Sequence, residues 1–180
     1  MQFSGVIRAV AWALECVSRS GYGDSVLALL RARTGGKPVP GELDGHELHG
    51  QAAQLLAQLE RDDFPQLGAG LLLARAGFFE RAAAAQWLAG LLEIPHGEAA
   101  AAQAVLMWLG GDGTRRSAHG GVERLRSIMA RGKQTAQRYR DEVYATLDGQ
   151  LHQAERELVL RKPGMFTAGT VAHFRAAGPY

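Results

Sequence analysis

Residues 120–147, GGVERLRSIMARGKQTAQRYRDEVYATL, decide the predicted fold, because two runs of helical periodicity are separated by a short basic break. The first run places Val122, Leu125, Ile128 and Met129 at three- and four-residue steps, so we expect them to share one face of a helix. This run predicts a supporting helix with its apolar face turned inward.

The break between the two runs is Arg131-Gly132-Lys133. Glycine readily adopts the left-handed backbone conformation that commonly ends a helix, so we expect Gly132 to close the first helix. A second helix then follows, and two helices joined by a short turn are the layout of a helix-turn-helix. The predicted inward face of the second helix contains Ala136, Tyr139 or Arg140, Val143, Tyr144 and Leu147.

The outward side chains at the start of the second helix are long and polar. Arg, Lys and Gln side chains match base edges and phosphates when a helix enters the major groove of DNA. The sequence therefore predicts a DNA-contacting face here. Its candidate residues are Lys133, Gln134, Thr135, Gln137, Arg138 and Arg140.

Positive charge is concentrated in the same segment. Residues 115–140 contain eight basic residues and one acid, Glu123, for a net charge of +7, whereas the whole chain carries +2 and the remainder therefore −5. This concentration is the electrostatic footprint of a nucleic-acid-binding element. Two other interpretations stay open, since basic helical faces are often only solvated and an αα-hairpin with a glycine turn occurs in many helical domains.

The composition predicts an all-α protein. Of the 180 residues, 47% are hydrophobic, and no long alternating run typical of strands occurs. Glycine-rich stretches at residues 34–45 and 109–121 are candidate boundaries. We therefore expect a helical core at residues 1–110 with a possible sub-boundary at 34–45, a helix-turn-helix-like basic hairpin at 114–162, and a partly flexible tail at 163–180.

Membrane and secretion signals are not apparent in the sequence. The N-terminus lacks the pattern of a secretory signal, and no segment approaches the roughly 20 consecutive apolar residues of a transmembrane helix. The single cysteine, Cys16, rules out an intrachain disulfide and is expected to be a small core residue. We therefore expect a soluble protein of the cytoplasm with no membrane partner.

Residues with chemical potential do not form a recognisable catalytic or metal-binding pattern. His46 and His49 are three residues apart, whereas zinc-binding helices more often use pairs four apart with a third strong ligand. No nucleophile elbow and no metalloprotease motif occurs. The sequence therefore predicts a protein that is not an enzyme and that has no metal site and no cofactor.

The C-terminal part of the hairpin carries a family resemblance. The runs TAQRYR at residues 135–140, VYATLD at 143–148 and QAE at 153–155 resemble the DNA-binding end of the Q-type late-gene antitermination proteins of bacteriophages. The N-terminal run ALE at 13–15 through SRSGYG at 18–23 is similar to the opening of one branch of that family. Because the zinc-binding cysteines of another branch are absent, the resemblance is to a zinc-free branch.

The resemblance implies a role in transcription. A protein of this family binds double-stranded DNA at a phage late promoter, loads on RNA polymerase with its sigma factor, and reads through terminators in the host bacterial cytoplasm. The resemblance implies that DNA is read by Lys133, Gln134, Thr135, Gln137, Arg138 and Arg140. It also implies that phosphates are held by Arg115, Arg116, Arg124, Arg126 and Arg131.

Two other functions stay open. One is a conventional helix-turn-helix transcriptional regulator, which binds DNA but does not change read-through. The other is a helical protein-interaction module or inhibitor, whose arginine cluster faces an acidic protein surface. Sequence-specific DNA binding separates both transcription factors from the interaction module.

Overall fold

A computed structural model describes residues 2–20, 45–92, 95–110 and 117–176, with the side chains of 18–20, 45–47 and 117–120 left out. Within these ranges the protein is all-helical, which confirms the predicted fold class. The predicted sub-boundary at residues 34–45 falls outside the described residues except for Gly45, where a helix begins. The α-helices are α1 (Val6–Ser20), α2 (Gly45–Leu59), α3 (Gln66–Arg75), α4 (Arg81–Gly90), α5 (Glu98–Trp108), α6 (Ser117–Met129), α7 (Lys133–Arg161) and α8 (Ala168–Ala176), with one 3₁₀ helix at Pro163–Met165.

The chain divides into two compact units. One unit contains Met1–Pro65 and Ala154–Tyr180, and the other contains Gln66–Gln153. The candidate DNA-binding hairpin was expected to stand apart from a core at residues 1–110. Its described residues up to Gln153 share a unit with α3, α4 and α5, in which α4 packs against α5 and α5 packs against α6, whereas its residues from Ala154 onward belong to the other unit.

In the first unit, α1 packs against α2, and the residues before α1 pair with those after α7. The Phe3 N–H donates to the Met165 carbonyl at 2.9 Å, and the Thr167 N–H donates to the Phe3 carbonyl at 3.0 Å. Phe166, between the two pairing partners, is 1% exposed, and Phe174 on α8 is also buried. Residues 163–176 of the predicted flexible tail are therefore folded, since these two aromatic side chains give the tail apolar surface to bury.

An ion cluster joins the end of α7 to the turn after α2. The Arg161 guanidinium donates to the Asp63 carboxylate and to the Asp63 carbonyl, each at 3.1 Å, and it also pairs with Glu157. The guanidinium lies 5.2 Å from the centre of the Phe64 ring. Hydrogen bonds from Arg61 and Arg161 lower the pKa of Asp63 to about 2.

In the second unit, α3 and α4 approach closely at a glycine. A Cβ atom on Gly70 would lie 2.4 Å from the Trp87 ring, so the absence of a side chain lets the indole lie against α3. The helix α4 begins at Arg81, because the Glu80 carboxylate accepts a hydrogen bond from the Ala83 N–H at 3.0 Å and caps the helix there.

Candidate nucleic-acid interface

The inward face of α6 follows the predicted periodicity with one exception. Val122, Leu125 and Met129 are 3%, 0% and 8% exposed, which places them in the core. Ile128 was predicted on the same face but is 40% exposed, so that prediction is wrong. Successive helical residues are rotated by about 100°, and the buried position in the last turn of α6 is filled by Met129.

The turn between α6 and α7 contains residues 130–132, and its left-handed residue is not the predicted glycine. Ala130 has a φ of 49°, whereas Gly132 does not have a positive φ. The Ala130 N–H donates to the Ser127 carbonyl and the Arg131 N–H donates to the Arg126 carbonyl, each at 3.3 Å. These two bonds form a Schellman motif, in which the left-handed position is usually a glycine. The prediction for Gly132 is therefore wrong.

The sequence left open whether Tyr139 or Arg140 lies on the inward face of α7. Ala136, Tyr139, Val143 and Leu147 are each no more than 2% exposed, so Tyr139 and not Arg140 faces the core. The Tyr139 hydroxyl has no hydrogen-bond partner among the described residues, and burial raises its pKa. The His96 ring packs edge-on against the Tyr139 ring, with centroids 5.3 Å apart.

A hydrogen bond between side chains fixes the middle of α7 to the end of α5. The Trp108 indole N–H donates to the Asp148 carboxylate at 2.8 Å. The Arg75 guanidinium covers the Trp108 ring at 4.5 Å from its centre. With its inward face buried and its middle held by Trp108, α7 presents the opposite side of its first turns to solvent.

The outward residues at this end of the hairpin form an exposed basic surface. Arg124 lies on α6 and Arg131 lies in the turn, while Lys133 and Arg138 lie on α7. All four residues are exposed, and none of their side chains forms an ion pair with another described residue. We define the α6–α7 basic surface as these four cations together with two exposed polar neighbours, Gln134 and Thr135. Its six residues are Arg124, Arg131, Lys133, Gln134, Thr135 and Arg138.

The remaining candidate residues differ from this set. Arg126 pairs with Glu123 at 3.2 Å. The Arg140 guanidinium donates to the Asp141 carboxylate at 2.6 and 2.9 Å and lies 5.9 Å from the centre of the Tyr144 ring. Gln137 is half-buried, and Arg115 and Arg116 lie outside the described residues.

The start of α7 adds to the positive character of this surface. The first N–H groups of any helix have no acceptor within the helix, and Gly132, which precedes α7, has no side chain to cap them. The first turn of α7 contains no acidic residue, although such residues are favourable at the positive end of the helix dipole. Anionic groups such as phosphates are stabilised at helix ends of this kind.

Among the described residues, no group of three His, Cys, Asp or Glu side chains is placed to hold a metal ion, and no helix is long and apolar enough to cross a membrane. Comparison with models of known protein families, with curated proteins and with solved structures gives no match. The charge and geometry of the α6–α7 basic surface are therefore the basis for assigning a function.

Proposed function

We propose that this protein is a sequence-specific DNA-binding transcription factor that contacts the duplex through the α6–α7 basic surface. The observation that carries the proposal is the set of four cations, Arg124, Arg131, Lys133 and Arg138, which are exposed and have no ion pair among the described residues. Clustered cations repel one another in the free protein. Duplex DNA relieves that repulsion, because its phosphates replace solvent counterions.

The positions of the side chains suggest different roles within the surface. Gln134 and Arg138 lie one helical turn apart on the outward ridge of α7, and they are suited to adenine and guanine edges respectively. Arg131 and Lys133 directly precede this ridge in the chain and Arg124 lies on α6, and all three exposed cations are suited to phosphates. Arg126 and Arg140 contribute less in this proposal, because each guanidinium already has a carboxylate partner.

The finer part of the proposal is transcription antitermination. It is supported by the resemblance of residues 135–148 to the Q-type phage proteins and not by the surface itself. In this role the protein binds near a late promoter, loads on RNA polymerase with its sigma factor, and reads through terminators. A transcription assay on a template with a promoter, the selected site and a terminator separates this role from that of a conventional regulator, which leaves read-through unchanged.

DNA binding is tested first with a labelled pool of random duplexes, and the bound fraction is sequenced to obtain a site. Affinity for that site and for random duplex is then measured by fluorescence anisotropy at several salt concentrations. The variants are Arg131→Ala and Arg138→Ala. Arg8→Ala is the matched control, since Arg8 is an exposed arginine on α1 and the variant loses the same charge.

The expected result distinguishes phosphate contacts from base contacts. Arg131→Ala lowers affinity on every sequence and reduces the salt slope by about 0.9, the value for one phosphate contact. Arg138→Ala weakens binding to the selected site by about 1–3 kcal/mol and affects random duplex less. Arg8→Ala leaves both affinities unchanged. Equal losses for all three variants, or no salt-dependent binding by the unchanged protein, would contradict the proposal and favour a protein-interaction module.

A further inference from the structure

The charge on the outward side of α7 changes sign along the helix. Gln134, Arg138, Asp141 and Ala145 follow one another at three- and four-residue steps and are all exposed, so they lie along one outward ridge. The ridge is positive at Arg138 and acidic one turn later. A helix that lay along a groove would bring both parts of the ridge close to phosphates.

The acidic part of α7 is longer than the basic part. Residues 141–155 contain four acids, Asp141, Glu142, Asp148 and Glu155, and no Lys or Arg. The Asp141 carboxylate is paired with Arg140, so this pair is close to neutral. Glu142 is exposed and forms no ion pair with another described residue. Between residues 141 and 155, α7 therefore offers phosphates no Lys or Arg side chain, and Glu142 adds an exposed carboxylate without an ion pair among the described residues.

We infer that α7 contacts DNA only through its first two turns, in addition to the contacts of Arg124 and of the turn, so that the helix meets the duplex with its N-terminal end and leads away from it after Arg140. This inference rests on the proposed function and adds the direction and the extent of the contact. At 1.5 Å per residue, Gln134 and Ala145 are about 16 Å apart, which is about twice the Debye length of roughly 8 Å in physiological salt. A charge at residue 145 is therefore screened from a duplex bound at residue 134.

A contact through the end of α7 also limits the number of base pairs that one copy of the protein recognises. An α-helix with its side chains is about 10–12 Å across, and successive bases on a strand are about 3.4 Å apart, so the end of α7 covers about three base pairs. The site selected from random DNA should therefore contain short blocks of defined sequence. A longer continuous site would need a second copy of the chain or another protein on the DNA.

Two charge-adding substitutions on the same ridge test the inference. Gln134→Arg adds a cation inside the inferred contact, and Ala145→Arg adds one beyond the acidic residues. Both positions are exposed and helical, and arginine is a good helix former, so the two variants are matched in charge and in helix propensity. The measurement is the salt dependence of binding to random duplex by fluorescence anisotropy, with far-UV circular dichroism as a check on folding.

The expected result is that Gln134→Arg tightens binding and increases the magnitude of the salt slope by about 0.9, whereas Ala145→Arg changes neither quantity. Equal increases for both variants would overturn the inference, because α7 would then lie along the duplex. No increase for either variant, with normal binding by the unchanged protein, would also overturn it and would place the contact elsewhere. Absence of DNA binding by the unchanged protein is a different outcome, since it removes the proposed function itself.

Discussion

Gly70 lies at the contact between α3 and α4, and its replacement by alanine should change the free energy of unfolding by an amount that follows from this contact. In the middle of a helix, replacing glycine with alanine normally raises stability by about 0.5–1 kcal/mol, because glycine loses more backbone entropy on folding. At Gly70 a Cβ atom would lie 2.4 and 2.6 Å from two carbon atoms of the Trp87 ring. Carbon atoms in contact prefer about 3.5–4.0 Å, so the ring has to move by about 1 Å.

The cost of this displacement decides the sign of the effect. Overpacking a filled site costs about 1–3 kcal/mol, which exceeds the gain in helix propensity. Trp87 is 39% exposed, so the indole can move partly toward solvent, and the cost lies in the lower part of that range. We therefore expect Gly70→Ala to lower the free energy of unfolding by about 0.5–2 kcal/mol.

The control is Gly149→Ala, in the interior of α7, where a Cβ atom would have no neighbour within 4 Å. That substitution should raise the free energy of unfolding by about 0.5–1 kcal/mol. Urea denaturation followed by circular dichroism measures both variants, and Trp87→Ala supplies a background in which Gly70→Ala should become stabilising. Equal stabilisation of the unchanged background by Gly70→Ala and by Gly149→Ala would contradict a steric conflict between the added Cβ atom and the Trp87 ring.

Further predictions concern substitutions at four positions, Ala130, Gly77, Tyr139 and Asp63. Ala130→Gly relieves a left-handed backbone conformation and should raise the free energy of unfolding by about 0.5–1 kcal/mol in urea denaturation. Gly77→Ala, at a φ of 82° with open space around it, should lower the free energy of unfolding by a similar amount. Tyr139→Phe removes a buried hydroxyl without a partner among the described residues and should raise the thermal midpoint, by an amount equivalent to about 1 kcal/mol. The pKa of Asp63 is lowered to about 2, so its stabilisation is complete above the unfolded pKa of about 3.9 and is lost as pH falls toward 2. Asp63→Asn should therefore unfold with a weaker pH dependence between pH 4 and 2 by circular dichroism, whereas the neighbouring exposed control Asp62→Asn should behave like the unchanged protein.

The sequence predicted the helices and most of the buried face of the hairpin. Apolar spacing placed Val122, Leu125 and Met129 inward, and the structure confirms these positions. Concentration of basic residues also identified the segment that carries the exposed cations. Both results depend on residues that are near one another in the chain, where helical geometry alone decides which side chains share a face.

Other features could not be predicted because they depend on contacts between distant residues or on choices between near-equal local alternatives. Ile128 and Met129 are both apolar, and only the neighbouring helices determine which one is buried. Ala130 takes the left-handed position because α6 ends there, although Gly132 is the residue that favours it intrinsically.

What the sequence determined by itself is therefore the fold class, the helical faces and the location of the positive charge. The tertiary structure decided which elements share a compact unit, that Phe166 pairs with Phe3 and is buried in the first unit, and which side chains along α6 and α7 have partners. The guanidinium of Arg140 is paired with Asp141 while that of Arg138, two residues earlier, has no carboxylate partner among the described residues. The physical reason is that periodicity assigns a residue to a face, whereas burial and pairing depend on the atoms that the folded chain brings next to that face.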